Sequence, residues 1–128
     1  MIYIKATVKG EPDAAPFAKV FQYSDATDEL ILQHSVQAVK EKLDKNGRLN
    51  VNEALLLYAY LVATQLRARK RVAEIEKDAR ALLSPERVMI GVPETLRTVR
   101  FDAIVDGRRE WITLREPMQT SAYVMANR

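Results

Sequence analysis

LLSPERVMIGVPE, residues 82–94, concentrates helix-start, helix-stop and turn residues in one short stretch. Ser84 stands where a helix cap belongs, Pro85 fits a first helical position, and Glu86 suits the positive end of a helix. Gly91 reads as the end of that short helix, and Pro93 biases Val92 toward an extended backbone. Four apolar residues, Val88, Met89, Ile90 and Val92, flank this rigid bend. The stretch therefore predicts a specified surface or a plug of the chain's own core, feeding a different kind of structure on either side.

On the C-terminal side the pattern is that of a hairpin. Asp106-Gly107 lies between two strand-like runs, and Asp-Gly is a strong signal for a two-residue turn. Such a turn sets Val105 opposite Arg108, Phe101 opposite Ile112 and Val99 opposite Leu114. The apolar residues of both strands then share one face, so turn chemistry and hydrophobic pattern agree on one register. Glu116-Pro117 ends the second strand, and residues 119–128 form a polar-leaning tail.

On the N-terminal side the period changes to that of helices. Val72, Ile75, Ala79 and Leu82 share a face of a third helix. Residues 54–63 are apolar or aromatic throughout, as expected of a buried central helix, and Tyr58 and Tyr60 within it each call for a hydroxyl partner. Asn50 and Glu53 have the spacing of a capping box at its start. A turn near residues 68–71 separates helices two and three, a long bent helix being the alternative. Leu32, Val36, Val39 and Leu43 mark helix one, which begins near Asp25 or Thr27 and stops at Lys45-Asn46-Gly47. Residues 10–27 read as an irregular connector, and Ile2, Ile4, Ala6 and Val8 alternate as a strand with one buried face. The fold class is α+β, mainly α: a bundle of three to four helices with a C-terminal hairpin and an N-terminal strand.

Composition narrows the function. The 128 residues suit about one domain, and the formal net charge of +3 gives no reason to expect nucleic acid. The densest basic run, residues 67–71, reads as a solvated helix end without neighbouring aromatics to stack bases. The longest apolar run is half of what a membrane span needs, and the N-terminus lacks a signal-peptide pattern, so the expectation is a cytoplasmic protein without a membrane partner. There is no cysteine and one histidine, His34, which cannot hold a transition metal without many carboxylates. Ser35 beside His34 is adjacency on a helix, not a nucleophile–base pair, and Glu74, Glu76 and Asp78 read as a solvated helix face. The four glycines stand singly, so no phosphate loop is present. No catalytic, cofactor-binding or metal-binding residue is expected in this chain.

The run Leu83-Ser-x-x-x-Val88-Met89-x-Gly91-Val92-Pro93-Glu94 resembles the corresponding segment of the urease gamma subunit family. Leu49-Asn50-x-x-Glu53-Ala54, Val72-Ala73-Glu74, the Asp106-Gly107 hairpin and Thr113-x-x-x-Pro117-Met118 fall where that family has similar elements, so the likeness spans residues 28–118. Three features depart from the family pattern. Residues 1–27 are an added N-terminal extension, Arg115-Glu116 stands where the family has a His-Asn or His-Asp pair, and residues 67–71 replace a glycine between helices two and three. The resemblance implies a non-catalytic assembly subunit of a nickel-dependent urea hydrolase. Its partners would be urease-type alpha and beta chains in a trimeric arrangement, with nickel held in the large partner and none here. The interface expected on this basis is Val88, Met89, Ile90, Val92, Pro93 and Glu94. The alternative is a stand-alone, homo-oligomeric interaction module without urease activity.

Overall fold

A computed structural model describes residues 1–10 and 14–118. The elements run β1 (Ile2–Lys9), β2 (Phe17–Tyr23), α1 (Ala26–Asp44), α2 (Val51–Arg67), α3 (Val72–Arg80), a 3-10 turn (Pro85–Arg87), α4 (Val92–Thr95), β3 (Thr98–Val105) and β4 (Arg108–Arg115). The four strands form one antiparallel sheet in the order β2-β1-β3-β4. This is the α+β class that the sequence implies, with a larger sheet.

The C-terminal hairpin has the register set by its turn: Val105 pairs with Arg108, Phe101 with Ile112 and Val99 with Leu114. Asp106 and Gly107 both take positive φ, +50° and +85°, as a type I′ turn requires. Residues 10–27 are not an irregular connector. Phe17–Tyr23 pairs with β1 along its whole length, and Ala26 already opens α1. No clean alternation marks this strand because it is an edge, in which Phe21 alone is fully buried.

Ile2, Ile4, Ala6, Val8, Val99, Phe101, Ala103, Ile112 and Leu114 bury the inner face of the sheet. The helices cover that face, α1 against β2, α2 against β1 and β3, and α3 against β4. Burial of this kind, worth about 25 cal/mol per Å² of apolar surface, dominates the stability of a domain this size. In α1 the buried residues are Leu32, Val36 and Val39, with Leu43 packed at the margin. Asp25 caps this helix by accepting from the Asp28 N–H. The capping box on α2 is complete: Asn50 accepts from the Glu53 N–H at 2.8 Å and Glu53 accepts from the Asn50 N–H at 2.9 Å. Burial opposes ionisation of Glu53, but the Asn50 N–H and the Lys42 ammonium hold its carboxyl below the usual range.

Helices α2 and α3 are separate. The chain reverses at residues 68–71, where Arg69 takes φ +61°, a left-handed conformation costly for a residue with a Cβ. At the end of α1 it is Asn46, at φ +61°, and not Gly47 that takes the left-handed position. Tyr58 departs from expectation. Its ring is fully buried, yet its hydroxyl finds no partner among the described residues, and burial pushes the phenol upward. Tyr60 lies half-buried with the Lys40 ammonium 5.6 Å from its ring centre.

Candidate interface

Residues 84–96 do not form the single short helix that their sequence suggests. Pro85–Arg87 is one 3-10 turn, and Ser84 makes no side-chain cap there. The backbone N–H of Glu86 and, after it, the Ser84 hydroxyl instead stabilise the Glu86 carboxylate, holding it below its usual range. Gly91 does not end a helix. At φ +92° it precedes α4, which Val92 opens and in which Pro93 sits in the first turn, where no N–H is needed. Thr95 N–H and Leu96 N–H close that turn on the Gly91 and Val92 carbonyls at 3.0 and 2.9 Å. Burial of Val92 and Leu96 overrides the extended bias that a following proline puts on Val92.

The loop is pinned at its base. Leu49 and Val88 form an isolated parallel bridge, in which Leu49 N–H donates to Arg87 O at 3.0 Å and Met89 N–H to Leu49 O at 2.8 Å. Val88 and Val92 point inward and are 2% and 4% exposed. Met89 is 42% and Ile90 97% exposed, so the bend plugs the core with two side chains and presents the other two to solvent. Glu94 is exposed beside them and Pro93 is half-buried.

A charged cluster that local sequence does not announce lies on another side. Arg67 donates through Nε to Asp106 Oδ2 at 2.7 Å and through Nη1 to Glu29 Oε1 at 2.5 Å. The Met1 amine donates to Asp106 Oδ1 at 3.0 Å. Arg67 pushes the Asp106 carboxyl down to about 2 and also lowers Glu29; both carboxylates in turn raise the guanidinium. The end of α2 is thus bolted to α1 and to the tip of the β3–β4 hairpin. A hollow of about 470 Å³ beside it is lined by Leu66, Arg67, Arg69, Val105, Asp106 and Arg108. Its one carboxylate is far too acidic to accept a proton at neutral pH, and no nucleophile lines it. His34 and Ser35 lie exposed on α1. Among the described residues no group of three or more His, Cys, Asp or Glu side chains could hold a metal ion, so the residues present do not fit a nickel site. Among the same residues no helix is long and apolar enough to cross a membrane.

Residues 22–118 match the family model for the urease gamma subunit. The chain belongs to the urease gamma subunit family. It is 33% identical over 92 residues to the urease subunit gamma of Halalkalibacterium halodurans, a match covering 72% of this chain and 92% of that protein. The urease subunit gamma of a Synechococcus strain is 28% identical over 92 residues, with the same coverage. A protein named urease subunit alpha in Helicobacter pylori is 28% identical over 95 residues, which are 73% of this chain but 40% of that protein. There the gamma-like stretch is one part of a longer chain. The family match begins at Gln22, near the end of β2, so β1 and most of β2 precede it. Strand β1 nonetheless lies between β2 and β3, so this urease gamma relative shares one core across the boundary.

Proposed function

We propose that this chain is a non-catalytic assembly subunit of a urease-type complex, in which a large nickel-bearing alpha chain hydrolyses urea and a beta chain completes the heterotrimer. Family membership carries the reading. The pinned bend supports it, because Met89 and Ile90 stand exposed over a buried base, the arrangement an interface side chain needs. The Helicobacter pylori relative supports it too, since its gamma-like stretch is covalently joined to further chain. Nickel belongs to the partner in this reading, and the assembly closes as a trimer in the cytoplasm. The chain's own contribution is binding surface: Ile90 and Met89 dock, Glu94 and Pro93 frame the contact, and Val88 and Val92 hold the bend in shape.

Co-expression with urease-type alpha and beta chains tests this. The wild-type chain is expected to co-purify with them, and Ile90→Asp to reduce recovery without changing the unfolding temperature. A chain that never co-purifies would sink the reading. A homo-oligomeric module without urease activity is the second reading, favoured by the exposed Phe17 and Val20 on edge strand β2. Light scattering of the purified chain separates the two: a stable oligomer formed without partners favours the module.

A further inference from the structure

The sheet has a second face, and the helices leave it uncovered. Register and alternation put Lys5 and Lys9 of β1, Arg100 of β3, and Arg109, Trp111 and Arg115 of β4 on it, all exposed. The only carboxylate among the strand residues of this face is Asp102, which Arg109 already holds through two contacts of 3.2 and 3.1 Å. Five cations against one carboxylate make the face +4, whereas the whole chain is +3, so the remainder nets −1. The positive excess of the chain is therefore gathered on one face of the sheet. No ion pair is present for Lys5, Lys9, Arg100 or Arg115 among the described residues.

At the centre stands Trp111, 52% exposed, with the Arg100 guanidinium 4.7 Å and the Arg109 guanidinium 5.7 Å from its ring centre. Tryptophan and arginine grouped this way are the residue types that dominate interface energies. Apolar Ala18 and Val20 extend the face across β2. Because β1 and most of β2 precede the family match, about half of this surface lies outside that match.

We infer that the open face of the sheet is a docking surface for an acidic protein surface. That this partner is another subunit of the same complex rests on the assembly reading above; the face itself does not. A single-stranded nucleic acid fits less well, because the two guanidiniums already occupy Trp111, the ring on which a base would stack. Opposite charge would steer the partner in, and the apolar and aromatic centre would hold it.

Trp111 is the only tryptophan, so its emission reports directly on the face. The full chain is titrated with a fluorescein-labelled Glu-repeat peptide at moderate salt, following anisotropy and Trp111 emission. Binding that perturbs Trp111 and weakens about tenfold or more in Arg100→Glu/Arg115→Glu is expected. Lys9→Glu, at a separate exposed site, should weaken it in the same direction if the double variant fails to fold. Arg69→Glu/Arg71→Glu, at the α2–α3 corner, should bind as the wild type does. Unperturbed Trp111 emission, equal loss from the corner variant, or tighter binding of an oligothymidylate of equal charge would each overturn the inference. Failure to co-purify with urease-type chains, with peptide binding intact, would remove the subunit reading and leave the face standing.

Discussion

The two hairpins of the sheet are built on different terms. The β3–β4 hairpin is closed by a two-residue turn whose chemistry dictates its register, and it lies within the family match. The β1–β2 hairpin spans a longer connection, lies largely before the match, and supplies both an inner strand and an exposed edge. Turn chemistry holds the first together, and burial between neighbours holds the second. A segment outside the family match is thus as central to the core as the part within it.

Removing the segment tests that claim hardest. A chain starting at residue 22 loses β1 and most of β2, and is expected to show no cooperative unfolding by circular dichroism. A cooperative, native-like melt would mean that the N-terminal hairpin is an appendage. Next in size are paired cavities. Ile4→Ala on β1 and Phe101→Ala on β3, at 1% and 0% exposure, should each cost about 2–5 kcal/mol in urea denaturation if the hairpins share one core. A loss below about 1 kcal/mol for Ile4→Ala alone would separate them.

The two hairpins also carry glycines needed for opposite reasons. Gly107 is needed for its positive φ, and a Cβ there meets nothing within 4 Å, so Gly107→Ala should cost about 1–2 kcal/mol. Gly10 is needed for space: a Cβ would lie 2.9 Å from the Thr95 carbonyl oxygen and 3.1 Å from that of Glu94. Backbone must move to admit it, so Gly10→Ala should cost about 1–3 kcal/mol, and an amide-shift map should show the change around residues 94–95. The smallest effect is electrostatic. Asp106 titrates near 2 in the folded chain, against about 3.9 for a free aspartate. A depressed folded value stabilises fully above the unfolded value, and that stabilisation disappears as pH falls through the folded one. Asp106→Asn should therefore melt below the wild type at neutral pH and converge with it near pH 2. A constant gap across that range would show that Arg67 does not act through the charge.

What the sequence made legible follows the same division. The C-terminal register, the alternation of β1, the capping box and the α2–α3 break are local, and the structure contains each of them. Strand β2 was illegible because an edge buries little, leaving Phe21 as its single fully buried residue. In residues 84–96 the punctuation was visible but its grammar was not, since helices of one turn take their limits from the burial of Val92 and Leu96. Arg67 read as a solvated helix end because its partners lie 38 and 39 residues away, beyond any spacing rule. The Tyr58 hydroxyl has no partner among the described residues because the ring, and not the oxygen, decides where the residue sits.

The bridge between Leu49 and Val88 has a consequence for recognition. Two loops that would otherwise move separately are joined by main-chain hydrogen bonds one residue away from Ile90. The most exposed apolar side chain of the described protein therefore stands on preorganised backbone. Whatever binds it need freeze little more than one side chain, a cost of about 0.5–1.5 kcal/mol, rather than a whole loop.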